Sequence, residues 1–344
     1  MAHAHGHVLV TGGAGFIGSH LAESLLRAGR RVIVIDDLST GLYSNVAALD
    51  GNTGFRLYVE SIRNERLLRQ LLRRCETVYH LASAVGVKLI MDKPVYTIDN
   101  IYQGTETVLR LARCYRNRVL ITSTSEVYGK SEDIPFREDG DRLDGPTTKH
   151  RWAYACAKAL DEFLALAHWK ETRLAVIIVR LFNTVGPRQR SHYGMVLPRF
   201  VKWALAGEDL QVYGDGTQAR CFCHVADVVA ALTQLMDSRR FYGEVFNVGS
   251  REEVTIRALA ERVISRTRSK SRIRLVPYQN VHGEGFEDMQ RRVPCLRKIR
   301  AAIGWQPTLT LNRIIDDVAR DLKRRRARMN ETASPHVSPV TGRS

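Results

Sequence analysis

The chain has 344 residues, of which 44% are hydrophobic and 26% charged, so it suits one large α/β unit or two closely joined domains. This balance excludes a disordered, collagen-like or coiled-coil protein. The net charge is +16, carried by 42 Arg and ten Lys, with +5 in residues 323–344 and the rest scattered. Because the excess is diffuse, it favours a small anionic substrate over nucleic acid as partner.

No run of 18 apolar residues occurs, and the first residues lack the basic-then-apolar pattern of a signal peptide. The sequence therefore predicts no membrane partner and a cytoplasmic location. The six cysteines are expected to be reduced thiols in that compartment. Cys221 and Cys223 are separated by one residue and have no second cluster nearby, so no metal site is predicted.

Short apolar, β-branched runs alternate with helical stretches through the first half of the chain. This pattern is typical of buried parallel strands whose two faces are covered by helices. It predicts an α/β fold with a Rossmann-type doubly wound parallel sheet. The predicted strands are His7–Val10, Arg31–Ile35, Phe55–Val59, Thr77–Leu81, Arg118–Thr122 and Leu174–Leu181. The predicted helices between them are Ser19–Leu26, Ile98–Arg113 and Tyr154–His168.

After Asn183 the pattern loosens into segments punctuated by Gly and Pro. One further strand, Val245–Val248, follows a helical stretch and is expected to return to the sheet. Helices are predicted at Asp227–Leu235, Val254–Ser265 and Leu309–Arg325. We therefore expect a Rossmann domain at 7–185, completed by about 221–250, and a smaller α/β substrate-binding lobe formed by 186–220 and 251–325. Residues 326–344 are predicted to be a disordered basic tail.

Three glycines, Gly12, Gly15 and Gly18, follow the first strand and open the first helix. Glycine allows a tight turn and a close approach of the backbone to a pyrophosphate, which then rests on the helix N-terminus. Asp36 ends the second strand about 20 residues later, where a carboxylate binds a ribose 2′-hydroxyl. Because a carboxylate repels a 2′-phosphate, the cofactor predicted is NAD rather than NADP.

Tyr154 and Lys158 lie one helical turn apart and therefore share one face of a predicted helix. An ammonium beside a phenol, together with the positive charge of nicotinamide, is expected to lower the pKa of Tyr154 towards neutrality. Tyr154 then takes the proton of a hydroxyl group while NAD accepts the hydride. Thr124 to Glu126 follow the end of another predicted strand, at the sheet edge where ligands bind.

These motifs resemble the extended short-chain dehydrogenase/reductase family, the NAD-dependent nucleotide-sugar epimerases and dehydratases. The resemblance covers His7 to about Leu322. It includes the glycine motif, the Tyr154/Lys158 pair, and the stretches Tyr79–Ala82, Arg180–Arg188 and Phe246–Gly249, with Asn100. Within the family, the chain is most similar to the UDP-glucuronate decarboxylases, including UDP-xylose synthase.

The residues after Thr124 carry this closer resemblance. Sugar-nucleotide 4,6-dehydratases have Asp-Glu there, and the Asp protonates the departing hydroxyl group; this chain has Ser125 instead, so that elimination lacks its acid. Thr124-Ser125-Glu126 is similar to the decarboxylases. Three further stretches share the similarity: Arg151–Lys158, Arg220–Phe222 and 283–294, in which Arg292 matches an active-site arginine.

The resemblance implies oxidation at C4 of UDP-glucuronate, which places a ketone β to the C5 carboxylate. The β-keto acid loses CO₂ to an enolate, and protonation at C5 yields UDP-4-keto-pentose or, after reduction, UDP-xylose. Tyr154 is assigned as the base and Thr124 as hydrogen-bond partner of the 4-oxygen. Ser125, Glu126, Arg151 and Arg292 are candidates for orienting the carboxylate and managing the C5 proton. Beside a substrate carboxylate, Glu126 requires either a raised pKa or compensation by Arg292.

The full set of predicted site residues follows from the motifs and this resemblance. The cofactor-binding candidates are Gly12, Gly15, Phe16, Ile17, Gly18, Asp36, Leu81, Tyr154 and Lys158. The catalytic candidates are Thr124, Ser125, Glu126, Tyr154, Lys158 and Arg292. The candidates for contacts with the UDP-sugar are Arg151, Asn183, Tyr213, Arg220 and Arg292, with arginine suited to bidentate phosphate binding. A homodimer is expected from the family, through the helices near Ile98–Arg113 and Tyr154–His168.

Some positions depart from the closest groups. UDP-apiose/xylose synthase has Cys where this chain has Ser125, which argues against ring contraction to apiose. Phe286 stands where the arabinose-pathway decarboxylases have Tyr. Two alternatives stay open: a C4 epimerase of UDP-glucuronate or a UDP-hexose, and a dinucleotide-sensing regulatory protein. The complete Thr124, Tyr154 and Lys158 set argues against the sensor, which has no need of a phenolate.

Overall fold

The computed structural model describes residues 6–83, 92–190, 195–277 and 289–333. Its centre is a seven-stranded, wholly parallel sheet in the order β11-β6-β5-β4-β1-β2-β3. These strands are β1 (His7–Thr11), β2 (Val32–Asp36), β3 (Phe55–Val59), β4 (Cys75–His80), β5 (Arg118–Thr124), β6 (Val176–Leu181) and β11 (Glu244–Val248). The strand order reverses beside β1, which opens a crevice at the carboxyl ends of β1 and β4. The predicted doubly wound fold is confirmed.

The sheet is buried because its strands are almost continuously apolar. All five residues of β2 are buried, and so are five of the six residues of β6. The predicted strand at Val245–Val248 is confirmed as β11, which pairs in parallel with β6 along its whole length. Helices cover both faces, and their apolar sides form two separate clusters of buried residues on the two faces of the sheet.

Nine helices are present in the described part of the chain. They are α1 (Phe16–Arg27), α2 (Glu65–Leu72), α3 (Pro94–Tyr115), α4 (Ala153–Thr172), α5 (Val196–Ala206), α6 (Val225–Met236), α7 (Ile256–Thr267), α8 (Arg297–Ile303) and α9 (Leu311–Ala333). Helix α3 packs along α4. A short 3₁₀ helix at Ser125–Tyr128 directly follows β5. Another, at His150–Trp152, directly precedes α4. Among the described residues, no helix is both long and apolar enough to cross a membrane.

The smaller strands lie towards one end of the sheet. They are β7 (Thr184–Val185), β8 (Leu210–Tyr213), β9 (Ala219–Cys221), β10 (Cys223–His224), β12 (Glu253–Thr255), β13 (Ile273–Val276) and β14 (Arg291–Arg292). Helices α5, α7 and α9 pack together with these strands around a third core that includes Phe200, Leu259 and Ile314. This third core lies largely in the residues that the sequence assigned to a smaller lobe, and that division into domains stays a prediction.

Two predicted boundaries are wrong. The segment from Val254 begins as β12, and its helix starts only at Ile256, because the Thr255 side chain accepts a hydrogen bond from the Ala258 amide at 3.1 Å and so caps the helix. Helix α9 continues to Ala333, past the predicted start of a tail at residue 326. Strong helix formers and an ion pair between Arg325 and Asp321, 2.9 Å apart, favour that extension. Residues 334–344 lie outside the described part of the chain.

A buried polar group attaches the β14 segment to the sheet. The Phe136 amide donates to the Val293 carbonyl, and the Cys295 amide donates to the Phe136 carbonyl, both at 2.8 Å. Asn247, near the end of β11, donates to the same Phe136 carbonyl at 2.9 Å and accepts from the Tyr128 hydroxyl at 2.8 Å. The Tyr128 ring stacks on Phe136 with centroids 4.6 Å apart. Residues far apart in sequence are thereby held at one end of the sheet.

We expect Asn247→Ala to lower the free energy of unfolding by about 1–3 kcal/mol, because it leaves a buried hydroxyl donor without its acceptor. Urea denaturation followed by circular dichroism measures the change. Asn312→Ala is the matched control, since Asn312 is exposed on α9, and its effect should stay within about 0.5 kcal/mol. Equal effects of the two substitutions would contradict this role for Asn247.

Candidate active site

The glycine loop between β1 and α1 leaves no room for side chains. Gly12 has φ +68°, and a Cβ there would lie 2.8 Å from the Ala82 amide nitrogen. A Cβ on Gly18 would lie 2.2 Å from the Gly12 carbonyl oxygen, and one on Gly15 would lie 3.0 Å from it. The backbone of this loop is therefore open to a phosphate at the N-terminus of α1, as a dinucleotide requires.

Asp36 lies directly beside this loop. Its carboxylate accepts hydrogen bonds from the Ala14 and Leu38 amides, both at 2.9 Å, which fix its orientation. Burial raises the pKa of Asp36, while these two hydrogen bonds act in the opposite direction. Its position at the end of β2 suits a hydrogen bond to a ribose hydroxyl.

The other predicted cofactor contacts surround the same loop. Phe16 and Ile17 begin α1 and are half-buried. Leu81 follows β4, and its amide donates to the Thr11 carbonyl at 3.2 Å, so its backbone lies against Gly12. The residues present therefore fit a bound NAD: a glycine cradle for the pyrophosphate and a carboxylate for the ribose.

Tyr154 and Lys158 lie in the first turns of α4, and both are buried. The Tyr154 hydroxyl is hydrogen-bonded to the Thr124 side chain, which ends β5. The structure thus brings together the predicted base and the predicted partner of the 4-oxygen at the carboxyl edge of the sheet. Lys158 Nζ lies 2.8 Å from the Asp161 carboxylate, in an ion pair that the sequence analysis missed.

The sequence predicted that Lys158, together with nicotinamide, lowers the pKa of Tyr154. In the protein without cofactor, the pKa of Tyr154 is raised instead. Burial raises the pKa of Tyr154 above its ordinary value, and the charges of Glu126 and Asp161 raise it further. The hydrogen bond with Thr124 and the charge of Arg151 act in the opposite direction but do not outweigh burial. Burial is therefore the main cause, and the Lys158 ammonium is itself paired with Asp161.

Glu126 is the centre of a buried cluster of three charged side chains. Its carboxylate pairs with Arg292 Nη1 at 2.7 Å and with Arg151 Nη1 on its other oxygen. Burial raises the pKa of Glu126, but the two guanidinium groups outweigh it and hold the pKa at about 2. Of the two possibilities left open for Glu126, the protein alone fits compensation by arginine, with Arg151 joining Arg292, and not a raised pKa.

The cluster joins three distant parts of the chain. Glu126 and Ser125, both buried, lie in the 3₁₀ helix after β5, Arg151 lies in the 3₁₀ helix before α4, and Arg292 lies in β14. The Arg151 guanidinium also lies over the Trp152 ring, 5.7 Å from its centroid. The charges of Glu126 and Arg151 both act on Tyr154, so this cluster and the predicted base belong to one site.

The predicted nucleotide contacts lie on the strands next to Arg292. Arg220 in β9 is the register partner of Arg292 in β14, and its Nη1 donates to the Gln290 carbonyl at 3.1 Å. The Asn183 amide donates to the Cys221 carbonyl of β9 at 2.9 Å. Tyr213 ends β8, with the Arg199 guanidinium 4.6 Å from its ring centroid. Arg220 therefore adjoins the charged cluster through β14, and Asn183 lies against the same strand β9.

Sequence reasoning missed one set of buried polar residues beside Lys158. Besides Asp161, it comprises His80, Thr105 and Thr11, which end or cover the central strands. The spacing of three residues between Lys158 and Asp161 was a visible signal, because such pairs meet on a helix. The predicted contacts in 283–288, including Phe286, lie outside the described residues. In the parts that the structure describes, no group of three or more His, Cys, Asp or Glu is arranged to hold a metal ion.

The family model described as GDP-mannose 4,6 dehydratase matches residues 9–318. A UDP-N-acetyl-alpha-D-glucosaminuronate decarboxylase of Bacillus cytotoxicus is 41% identical over 303 residues, covering 88% of this chain and 93% of the relative. The chain belongs to the family that this model describes, which lies within the extended short-chain dehydrogenases/reductases. The resemblance drawn from the sequence motifs is confirmed.

Two further relatives refine the comparison. A UDP-glucuronic acid decarboxylase 1 of Danio rerio is 36% identical over 320 residues, covering 92% of this chain and 73% of the relative. The solved structure of a UDP-glucuronic acid 4-epimerase from Bacillus cereus, in complex with UDP-glucuronic acid and NAD, matches with a TM-score of 0.83 at 27% identity, covering 92% of this chain and 99% of that one. The relatives at higher identity are thus decarboxylases, although the family model carries a dehydratase's name.

We expect Gly12→Ala to weaken NAD binding more than 10-fold, because its Cβ would collide with the backbone at Ala82. Isothermal titration calorimetry measures the affinity. Gly29→Ala is the matched control, since Gly29 also has a positive φ, +74°, but a Cβ there meets nothing within 4 Å. Comparable losses of affinity in both variants would show that strain alone, and not the cradle, is responsible.

Proposed function

We propose that this protein is an NAD-dependent UDP-glucuronate decarboxylase, which releases CO₂ and yields UDP-4-keto-pentose, UDP-xylose or both. The observation that carries the proposal is the ionised Glu126 carboxylate held between Arg151 and Arg292, beside the Tyr154 hydroxyl. Two buried arginines facing one site match a substrate that carries a carboxylate of its own. The decarboxylase relatives support the same reaction class.

The reaction begins with oxidation at C4. Bound NAD supplies the hydride acceptor for this step. Tyr154 takes the proton of the 4-hydroxyl group, and Thr124, hydrogen-bonded to Tyr154, orients the 4-oxygen. Because burial raises the pKa of Tyr154 in the protein alone, its phenol would need added positive charge to act as a base, which NAD would supply when bound.

The second step breaks the bond between C5 and the carboxylate carbon. The electron pair of that bond moves into an enolate whose oxygen is the 4-oxygen, and CO₂ leaves. Arg151 and Arg292 orient the carboxylate before the step. Glu126, ionised because its pKa is about 2, repels that negative charge, and the repulsion ends when neutral CO₂ forms. The cluster therefore binds the carboxylate and at the same time favours its loss.

The third step adds a proton to C5. With a pKa of about 2, Glu126 holds no proton to donate near neutral pH. We therefore assign the C5 proton to water or to the Ser125 hydroxyl, which is buried next to Glu126. Arg220 lies on β9, and Asn183 is hydrogen-bonded to the same strand. We assign both residues to contacts with the diphosphate and uridine.

A C4 epimerase is the second candidate, and the structural match to a UDP-glucuronic acid 4-epimerase favours it. Both reactions begin with the same oxidation. They differ in the fate of the carboxylate, which an epimerase retains. The charged cluster around Glu126 favours decarboxylation.

Incubation with UDP-glucuronate and NAD separates these reactions by product mass. We expect release of CO₂ together with UDP-xylose, which is lighter than the substrate by CO₂, or UDP-4-keto-pentose, which is lighter by CO₂ and two hydrogen atoms. A product of unchanged mass would establish the epimerase and refute the decarboxylase. UDP-N-acetylglucosaminuronate is assayed in parallel, because a 41% identical relative bears that substrate in its name.

We expect Glu126→Gln to retain NAD binding and to lose CO₂ release by about 100-fold or more, because the charge that orients the two arginines and repels the substrate carboxylate is removed. CO₂ release and NAD affinity are measured on the same preparation. Glu132→Gln is the matched control, since Glu132 is exposed in the following loop, and its activity should equal that of the parent. Unchanged CO₂ release in Glu126→Gln would remove Glu126 from the mechanism.

We also propose that two copies of the chain associate through α3 and α4. These adjacent helices expose large apolar side chains, which is unusual for a solvent-facing surface. The side chains are Val95, Tyr96, Ile98, Tyr102, Leu160 and Phe163, of which Val95 is 73% and Phe163 64% exposed. A homodimer buries them, and the helix that carries Tyr154 then lies next to the interface.

We expect Phe163→Asp to weaken the dimer at least about 10-fold, because a carboxylate would have to be buried in an apolar interface. Sedimentation velocity across a range of protein concentrations measures the association. Val59→Asp is the matched control, since Val59 is 59% exposed on β3, away from these helices. Dissociation of both variants, or of neither, would argue against this interface.

A further inference from the structure

Asp161 forms a buried ion pair one turn beyond the predicted base. Tyr154, Lys158 and Asp161 are spaced four and three residues apart, so they share one face of α4. Lys158 Nζ lies 2.8 Å from Asp161 Oδ2, and the two side chains are 4% and 0% exposed. A carboxylate so deeply buried is stable only with a partner of this kind.

Asp161 is itself anchored by side chains from other elements. The Thr105 side chain of α3 helps to lower the pKa of the Asp161 carboxyl, against the effect of burial. His80 Nε2, at the end of β4, lies 3.2 Å from Thr105 Oγ1, and His80 Nδ1 lies 2.8 Å from Thr11 Oγ1. Burial lowers the pKa of His80 to about 3, so its ring is neutral and each nitrogen serves one of these two bonds.

Hydrogen bonds connect Thr105, His80 and Thr11 in one chain. Thr11 Oγ1 also accepts from the Ala82 amide at 3.1 Å, and Ala82 lies against Gly12 of the glycine loop. The chain therefore leads from the predicted cofactor cradle through β1 and β4 to Thr105 of α3, which in turn influences the Asp161 carboxyl. None of the catalytic roles proposed for this site involves Thr11, His80, Thr105 or Asp161.

The charges that face Tyr154 come from several elements. Glu126 from the 3₁₀ helix after β5 and Asp161 from α4 disfavour a phenolate, and Arg151 favours it. Lys158 lies on the same helix face, and neutral His80 lies beyond Thr105. Among these groups, Asp161 carries a negative charge that the oxidation step does not use.

We propose that Asp161 is a positioning residue, which holds the Lys158 ammonium in place and sets the pH at which Tyr154 acts as a base. The proposal rests on the proposed function only for the role of Tyr154 as that base. Removing the Asp161 charge takes away one negative charge that opposes the phenolate, so Tyr154 should lose its proton at lower pH.

The test measures Tyr154 directly in the NAD-loaded protein without substrate. Tyrosine is labelled with carbon-13, the Tyr154 resonance is assigned through Tyr154→Phe, and its midpoint is read from a pH titration by NMR. Asp161→Asn keeps the size of the side chain and removes its charge, and we expect the midpoint to move to lower pH than in the parent. If UDP-glucuronate is turned over, the acid limb of the CO₂ release profile should move in the same direction.

Glu162→Gln is the matched control. Glu162 is the next residue on α4 and is also buried, but it pairs with Arg180 of β6 at 2.7 Å. Removing the Glu162 charge disturbs a buried ion pair but leaves the partner of Lys158 in place. The pH midpoint of the Tyr154 titration should therefore equal that of the parent. An unchanged midpoint in Asp161→Asn, or an equal movement in Glu162→Gln, would overturn the proposal.

A second variant keeps the test decisive if Asp161→Asn does not fold. Thr105→Val removes the hydroxyl group that stabilises the Asp161 charge, and we expect a smaller movement of the Tyr154 midpoint in the same direction. No movement in Thr105→Val would then overturn the proposal. Because the titration contains no substrate, an absence of CO₂ release would count against the proposed function alone.

Discussion

The candidate active site depends on the burial of one carboxylate between two guanidinium groups. Removing a charge from water costs several kcal/mol, and Glu126 is held in its ionised form only because Arg151 and Arg292 both reach it. The ion pair of Arg292 with Glu126 joins β14 to the end of β5. The hydrogen bonds of Phe136 with Val293 and Cys295 hold β14 there, and Asn247 ties them to the sheet. The pairing of charges at the site therefore depends on the same contacts that pack β14 against the sheet.

Two buried carboxylates near Tyr154 are used in different ways. Glu126 faces two cations, so its pKa lies far below the usual range and its charge is available to a substrate carboxylate. Asp161 faces a single ammonium, and burial raises its pKa while Lys158 opposes the rise. Tyr154 lies between these groups, and burial keeps its phenol protonated in the protein alone. Burial thus outweighs the nearby positive charge at Tyr154 in the protein alone.

The large positive charge of the chain has only a small part in this site. Many of its arginines lie in exposed ion pairs, such as those of Arg266 with Asp316 and Arg291 with Glu253, which contribute little to stability. Arg151, Arg220 and Arg292 differ because each is buried. Position, and not the number of basic residues, therefore distinguishes a site for one anionic sugar nucleotide from a general affinity for polyanions.

The sequence by itself determined the features that depend on neighbouring residues. The strands of the sheet, the glycine loop with Asp36, and the shared helix face of Tyr154 and Lys158 follow from periodicities of two to four residues and from glycine's lack of a side chain. It singled out Glu126 by its position after a strand, whereas Arg292 was identified only through a family resemblance. It misplaced the start of α7 and the end of α9, because caps and ion pairs within one turn decide where helices begin and end.

Only the tertiary structure decided which charges meet. Glu126 and Arg292 are 166 residues apart, and Thr11 and His80 are 69 apart, so no local pattern reveals either contact. The ionisation of Glu126 results from its two guanidinium partners and the raised pKa of Tyr154 results from burial, and both depend on the whole fold. Local sequence selects the residue types, whereas the electrostatics of the site arise from their partners across the sheet.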